Sequence, residues 1–209
     1  MVYKTIPKTV IERVPLYINY LKNIDCNKVK TISATIISQE LGLGEVLVRK
    51  DLNMIAGIGK PKIGYYVSDL REKLRSLIST EKKKTVIIVG IGKIGEALAR
   101  YKGFGLNGFD IIQLFDSDVG KIGRVINQQK INDISNLESY CQNHQVDMAV
   151  LSVDSEHAQD VCNRLSNCGI KGILNFTNVL LITPNQIIVR NVDIVSQLMI
   201  LALEINNNK

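Results

Sequence analysis

Long apolar segments are missing from this chain. No run of about 18 apolar residues, the length that a membrane-spanning helix needs, occurs in its 209 residues. The N-terminal segment carries charges where a secretory signal would be apolar, at Lys4, Lys8, Glu12, Arg13 and Lys22. We therefore expect a cytoplasmic protein with no membrane partner.

Residues for metal or nucleophilic chemistry are also scarce. The four cysteines show neither a C-x-x-C pair nor metal-ligand spacing, so we expect free thiols and no metal. They are Cys26, Cys141, Cys162 and Cys168. The only histidines, His144 and His157, fall in or at the start of predicted outer helices, and we expect them away from any crevice. No motif places a catalytic acid or base, so we do not expect an enzyme.

Charge divides the sequence into two parts. Residues 1–84 hold 16 Lys and Arg against 8 Asp and Glu, a net charge of +8, whereas the remaining residues have a net charge of −2. A basic surface attracts the phosphate backbone of nucleic acids through counterion release. This predicts a DNA-binding domain over residues 1–80; the alternative is that the lysines only keep a small domain soluble.

Two short helices follow one another in the basic part. Ser33 is a candidate N-cap for a helix over residues 34–41, a glycine turn follows, and residues 45–55 resume helical periodicity. This pattern predicts a helix-turn-helix whose second helix enters the major groove with Arg49, Lys50 and Asn53, and Ser33 is also a predicted DNA contact. The alternative is two packed helices with a solvated outer face.

The flanking segments complete this domain. Pro7 suits the first turn of an opening helix, in which Pro15 predicts a kink or a late start. Turn residues between short β runs over residues 57–67 predict a hairpin wing that contacts DNA with Lys60, Lys62 and Tyr65. A helix over residues 69–79 and a lysine-rich linker at residues 82–84 lead to the second part.

A glycine-rich loop opens the second part. The β-branched run at residues 85–89 precedes a G-x-G-x-x-G motif formed by Gly90, Gly92 and Gly95. In this setting the first glycine permits a tight turn, the second lets the backbone approach a pyrophosphate, and the third lets helix pack on strand. Lys93 and Ile94 open the following helix, whose free N–H groups face the phosphates.

An acidic residue lies at the expected distance from this loop. Asp116 ends a second apolar strand over residues 111–115, where a carboxylate accepts the hydroxyls of an adenosine ribose. A 2′-phosphate would be repelled, so NAD(H) is the predicted cofactor. Asp118 either shares this role or caps the turn before Gly120.

Strands and helices then alternate through residues 85–192, as a Rossmann-like, doubly wound parallel sheet requires. Strands are predicted at residues 147–153, 172–176 and 187–192, and helices at residues 134–144 and 155–168. The carboxyl ends of the strands border the crevice of such a sheet. The expected lining of its nicotinamide end is Val153, Asp154, Asn175, Phe176, Thr177 and Ile194. A dry apolar lining there would favour NADH, because the oxidised ring carries a positive charge.

A last helix, predicted over residues 193–206, is apolar around most of its circumference. One surface contact would not cover it, so residues 193–209 are expected to pack into a dimer partner.

Several segments together resemble the Rex family of redox-sensing transcriptional repressors. They span nearly the whole chain: Ile6-Pro7, Val48-Arg49-Lys50-Asp51-Leu52, Gly64-Tyr65, Gly90-x-Gly92-x-x-Gly95, Phe115-Asp116, Gly169-Ile170-Lys171-Gly172-Ile173-Leu174-Asn175-Phe176 and Asn191-Val192-Asp193. The resemblance implies a winged helix, a Rossmann domain and a C-terminal helix swapped between subunits. It also implies a homodimer that binds a palindromic operator in double-stranded DNA and leaves it when NADH binds.

The resemblance further implies a switch. A tyrosine matching Tyr101 takes over an aspartate matching Asp193 when NADH binds, whereas an arginine holds that aspartate in the DNA-binding state. Asn19 stands where the family carries this arginine, and a wing arginine is replaced by lysines. Asp154 stands where the family carries a proline, and it either favours the positively charged oxidised ring or caps the helix that starts at Ser155.

Two other functions remain open on the sequence. One is a small NAD-dependent oxidoreductase, and the other is a winged-helix regulator with altered nucleotide preference.

Overall fold

The computed structural model describes residues 6–78, 83–184 and 186–207. The chain divides into two compact units, residues 1–81 and residues 82–209. The predicted end of the fourth helix at residue 79 and the predicted linker residue Lys82 lie outside the described residues.

The described part of the N-terminal unit, residues 6–78, contains four helices and two short strands. The helices are α1 (Lys8–Lys22), α2 (Ala34–Leu41), α3 (Glu45–Ala56) and α4 (Val67–Ile78), and the strands are β1 (Thr31–Ile32) and β2 (Tyr65–Tyr66). Each helix buries one apolar face in a shared core, around Tyr17, Leu21, Ile37, Leu52 and Leu74. The helical predictions for residues 34–41 and 45–55 are confirmed.

The start of α1 differs from one of the two predictions made from Pro15. The helix begins at Lys8 and runs through Pro15, so a late start is wrong. Pro7 occupies the N-cap position with an extended backbone, where its missing N–H costs nothing. The buried residues Val10, Val14 and Tyr17 hold the helix against the core on both sides of Pro15.

The predicted hairpin wing does not contain two paired β strands. A single antiparallel bridge joins Lys60 to Gly64, and β2 pairs with β1 rather than with the segment before the turn. Val67, predicted at the end of a strand, is instead the first residue of α4. Lys62 lies at the turn with a positive φ of 60°.

The C-terminal unit is built on a seven-stranded sheet of order β5-β6-β4-β3-β7-β8-β9. Its strands are β3 (Lys84–Val89), β4 (Phe109–Asp116), β5 (Val125–Ile126), β6 (Gln129–Asp133), β7 (Met148–Leu151), β8 (Gly172–Asn175) and β9 (Ile188–Asn191). Its helices are α5 (Lys93–Arg100), α6 (Gly103–Leu106), α7 (Leu137–Asn143), α8 (Ser155–Asn167) and α9 (Ile194–Asn207). All pairings are parallel except that of β5 with β6. The predicted winged helix followed by a doubly wound sheet is confirmed.

Two local features of this unit were not predicted. Strands β5 and β6 form a hairpin around Asn127 and Gln128, which both have positive φ. The helix predicted from residue 134 starts with a 3₁₀ turn, because Asp133 caps that turn by accepting a hydrogen bond from Ser135 N–H, and α7 begins only at Leu137.

The two faces of the sheet are covered unequally. Helices α7 and α8 pack on one face, whereas the other face is covered by α5 and leaves an apolar groove over β7, β8 and β9. Helix α9 buries none of its residues. Among the described residues, no helix combines the length and apolar character that crossing a bilayer requires.

Candidate nucleotide crevice and nucleic-acid interface

The glycine loop joins β3 to α5, and each glycine meets a different constraint. Gly90 has a φ of 91°, and a Cβ there would lie 2.6 Å from the carbonyl oxygen of Ser152. A Cβ on Gly95 would lie 1.9 Å from the oxygen of Gly90. Gly92, the N-cap of α5, has nothing within 4 Å of its missing Cβ. The loop therefore offers open space directly before the N–H groups of a helix, which is the geometry that binds phosphate.

Asp116 ends β4 beside this loop and is buried. Its carboxylate accepts hydrogen bonds from the N–H groups of Ile91 (2.7 Å) and Asp118 (2.8 Å) and from the Lys121 ammonium (3.2 Å). Burial would by itself raise the pKa of Asp116, but these donors lower it below its ordinary value. Since a carboxylate offers about four acceptor positions, one remains for a ribose hydroxyl.

Asp118, for which two roles were open, caps the turn. Its carboxylate accepts a hydrogen bond from Gly120 N–H at 2.8 Å, and Lys121 Nζ lies 3.6 Å from it.

A cavity of about 270 Å³ lies at the carboxyl ends of β3, β4 and β7. It brings together five of the predicted cofactor-binding residues, Gly90, Gly92, Asp116, Val153 and Asp154. Lys121 and Arg164 also line it, and neither was singled out from the sequence. Lys93 and Ile94 are exposed in the first turn of α5.

The remaining predicted residues lie elsewhere. Thr177 lines a second cavity of about 390 Å³ together with Asn191 and Asp193. Asn175 is fully buried: its amide donates to Val179 O and to Asn191 Oδ1, and its oxygen accepts from Thr177 N and Oγ1. Asn175 therefore shapes the loop after β8 instead of facing a ligand.

Phe176 and Ile194, the last two residues predicted at the nicotinamide end, line neither cavity. Phe176 packs on the apolar core, and Ile194 is 60% exposed at the start of α9. The six residues predicted at the nicotinamide end do not line one cavity within a single chain.

The expectation for His157 is wrong. His157 lies on α8 and lines the first cavity beside Asp154, because the first turn of α8 follows directly on the carboxyl end of β7. His144 ends α7, where its ring stacks on Tyr140 at 4.0 Å. Among the described residues, no group of three or more His, Cys, Asp or Glu is arranged to hold a metal ion.

The N-terminal unit presents a helix-turn-helix built by α2 and α3. Gly42 ends α2 in a left-handed conformation, and α3 buries Val48 and Leu52 while Arg49 and Lys50 are exposed. Arg49 pairs with Glu45 one turn earlier. The two basic side chains therefore lie on the outer side of α3, as a recognition helix requires.

The other predicted DNA contacts hold the motif together. The Ser33 hydroxyl caps α2 by accepting from Ile36 N–H, and the Tyr65 hydroxyl donates to Asn53 Oδ1 at 2.8 Å. This last bond fastens the segment after the wing to α3. The Lys60 ammonium lies 4.8 Å from the centroid of the Tyr66 ring.

An ion pair between the buried Asp51 and the partly exposed Arg13, which the sequence did not reveal, fixes α3 on α1. Asp51 is 2% exposed and accepts from Arg13 Nε (2.6 Å), from a second Arg13 nitrogen (2.9 Å) and from the Tyr17 hydroxyl (2.6 Å). Burial and the hydrogen bond to Asp51 raise the pKa of Tyr17. Arg13 and Tyr17 lie four residues apart and so share one face of α1, but nothing in the sequence pairs that face with Asp51.

The predicted switch residues have separate environments. Asn19 is exposed on α1 in the N-terminal unit. Tyr101 is 63% exposed and contacts Phe104 edge-on, with ring centroids 5.5 Å apart. Asp193 caps α9, because its carboxylate accepts from Ser196 N (3.0 Å) and Oγ (2.6 Å), and these bonds lower its pKa.

Two family models match the chain. Residues 5–53 match a model described as a putative DNA-binding protein N-terminus, and residues 81–179 match one described as a CoA binding domain. With the winged helix and the glycine crevice, these matches define a class: a DNA-binding domain joined to a Rossmann-like, nucleotide-binding-type domain.

Similarity to individual proteins narrows this class. The redox-sensing transcriptional repressor Rex of Treponema denticola is 36% identical over 95% of both chains, and that of Carboxydothermus hydrogenoformans is 35% identical over 97% of this chain and 98% of the relative. The crystal structure of RSP, a Rex-family repressor, matches 98% of this chain and 96% of its own at 30% identity, with a TM-score of 0.88. RSP in complex with beta-NAD+ and operator DNA matches with a TM-score of 0.90. The chain belongs to the Rex family of redox-sensing transcriptional repressors, whose function is regulatory and not catalytic.

Proposed function

We propose that this protein is a repressor that binds operator DNA as a homodimer in the cytoplasm and leaves the operator when NADH binds. The proposal rests on one observation. A single chain of the Rex family contains both a winged helix with a basic recognition helix and an open glycine crevice. RSP, which matches nearly all of this chain, has been crystallised with beta-NADH and with beta-NAD+ and operator DNA.

The crevice fits the nucleotide half of NAD(H). Gly92 leaves open space before α5 for the pyrophosphate, and Asp116 keeps acceptor capacity for the adenosine ribose. When bound, the cofactor supplies a nicotinamide ring whose charge depends on its oxidation state. The protein's part is to hold the shared phosphates and to distinguish the two rings.

The N-terminal unit fits duplex DNA. With 13 Lys and Arg against 8 Asp and Glu, residues 1–81 carry a net charge of +5 that attracts phosphates, and Arg49 and Lys50 project from α3. A palindromic operator requires two such units related by a twofold axis, since each recognition helix reads one half-site.

A second copy of the chain provides that symmetry. Helix α9 exposes a set of large apolar residues, each at least 49% exposed: Ile194, Val195, Leu198, Met199, Ile200, Leu201, Leu203 and Ile205. The uncovered sheet face forms an apolar groove of about 490 Å³ lined by Val86, Met148, Val150, Leu174 and Ile188. A soluble chain does not leave two such surfaces in water, so we place the α9 of a second copy against this groove.

The test is a titration of the labelled operator duplex crystallised with RSP, carried out with NADH and with NAD+ separately. Affinity of the protein for the duplex should fall on addition of NADH. A Gly92→Val variant should bind the duplex as wild type does and lose the response to NADH, because its side chain fills the phosphate cradle. If neither nucleotide changes operator affinity, the protein is not a redox sensor.

A further inference from the structure

Asp154 occupies the N-cap position of α8 without capping it. At three other helix or turn starts of this chain the side chain accepts a backbone hydrogen bond, at Ser33, Asp133 and Asp193. Asp154 has the extended backbone of an N-cap, with φ of −64° and ψ of 149°, but its carboxylate makes no capping hydrogen bond. Asp154 is exposed and lines the nucleotide cavity of about 270 Å³ beside Gly92 and Val153. The interpretation of Asp154 as a helix cap is therefore wrong.

The lysine and the arginine that line the cavity pair with other acids. Lys121 pairs with Asp116 at 3.2 Å and Arg164 pairs with Glu138 at 2.6 Å, while the His157 ring lies 3.6 Å from Glu156. Among the described residues, no salt bridge joins Asp154 to a basic group within 4.0 Å. Its negative charge is therefore available to a ligand.

The strand order indicates which half of a dinucleotide meets this charge. Strand β3 carries the glycine loop and lies between β4, which ends at Asp116, and β7, which is followed by Asp154. A dinucleotide that places its adenosine ribose at Asp116 and its pyrophosphate at Gly92 extends toward β7 with its nicotinamide half. Asp154 then lies on the nicotinamide side of the phosphates.

We propose that Asp154 sets the nucleotide preference of this protein by favouring the oxidised, positively charged nicotinamide ring of NAD+ over the neutral ring of NADH. This inference rests on the proposed function, because it requires NAD(H) in the crevice. The charge repels the pyrophosphate equally in both forms, so only the ring distinguishes them. The carboxylate lowers the preference for NADH that an apolar lining would give, so more NADH relative to NAD+ is needed for the response.

The test is to measure the dissociation constants of NAD+ and NADH for the full-length wild-type protein, Asp154→Asn and the control Asp110→Asn. Asp110 is an exposed acid near the start of β4, at the end of the strand opposite Asp116, and does not line the cavity. We expect Asp154→Asn to weaken NAD+ relative to NADH by about two- to fivefold, the size typical of an exposed charge pair. The ratio should be unchanged in Asp110→Asn, and the effect should shrink in 1 M KCl, where the Debye length falls to about 3 Å.

The outcomes separate this inference from the function it rests on. If wild type binds both nucleotides but Asp154→Asn changes both affinities equally, the charge acts on the pyrophosphate alone and the inference is overturned. If Asp154→Asn changes neither affinity, the ratio is again unchanged and the inference is also overturned. If wild type binds neither nucleotide, the proposed function fails as well. Thermal unfolding of each variant verifies that the fold is intact.

Discussion

The two units of this chain differ in how completely they bury their apolar surface. Each helix from α1 to α4 has at least three buried residues, whereas α9 has none and the sheet beside it leaves an apolar groove. The helices of the N-terminal unit therefore share a core within one chain, whereas the C-terminal unit leaves apolar surface that the proposed second copy would cover. In the proposed dimer, a ligand in the crevice would act on DNA binding by changing how the two subunits are paired.

The units also differ in how they use a buried carboxylate. Asp51 receives these donors from its own unit and fixes α3 on α1. Asp116 has a comparable set of donors but faces a cavity and retains acceptor capacity. The first carboxylate is structural, whereas the second is arranged to receive a ligand.

We expect the largest effect from a substitution that disrupts the proposed dimer interface of the C-terminal unit. Leu198→Glu places a charge on the apolar surface of α9, and in a symmetric dimer the change occurs twice. We expect a monomeric protein in analytical ultracentrifugation and a loss of operator affinity of about 100-fold or more, because the two half-sites are no longer bound together. Gln197→Glu, the same charge on the neighbouring residue, is the control. A Leu198→Glu protein that remains dimeric would show that α9 is not the interface.

The stability of the N-terminal unit should fall when its Arg13–Asp51 ion pair is removed. Asp51→Ala leaves Arg13 and Tyr17 without their acceptor, and because Arg13 is partly exposed we expect a loss of about 2 kcal/mol, below the cost for a fully buried pair. Urea unfolding should show this loss, while NADH binding to the C-terminal unit is retained. Glu72→Ala on the exposed side of α4 should change stability by less than about 0.5 kcal/mol. Equal stability of the two variants would mean that the ion pair contributes nothing.

Short sequence motifs predicted the features whose structure depends on neighbouring residues. These features are the glycine loop at residues 90, 92 and 95, the acid at Asp116, and the helices α2 and α3. The β5–β6 hairpin also had a local signal, since Asn127 lies at a two-residue turn that needs positive φ.

The features that the sequence did not reveal depend on distant partners. Asp51 and Arg13 are 38 residues apart in the sequence, so their pairing becomes visible only when α1 packs on α3. Asn175 looked like a ligand contact because it ends a strand, but Val179 and Asn191 occupy its amide. His157 was placed outside the crevice because nothing in its helical pattern indicates how the first turn of α8 is oriented.

A smaller effect should separate the DNA contact from the nucleotide site. Arg49→Ala removes one exposed cation from α3, and we expect operator affinity to fall about tenfold with a decrease of about one in the salt-dependence slope. Affinity for NADH should be unchanged. Arg75→Ala on α4 removes the same charge from the same unit without touching α3, and it should have little effect. An equal loss in both variants would mean that general charge, not the recognition helix, determines binding.

The smallest effect concerns the acid dependence of the nucleotide-binding unit. The folded protein lowers the pKa of Asp116, so this group contributes stability above its unfolded pKa of about 3.9, and the contribution is lost as pH falls through the folded value. Asp116→Asn removes this dependence, while the lowered carboxyls Asp133 and Asp147 remain in both proteins. The fall in urea midpoint from pH 7 to pH 3 should therefore be smaller in Asp116→Asn than in wild type. Asp118→Asn, which changes an exposed neighbour, should behave as wild type. If Asp116→Asn loses as much stability on acidification as wild type, the donors around Asp116 do not hold its carboxylate ionised in the wild-type protein. The difference drawn above between Asp116 and Asp51 would then disappear.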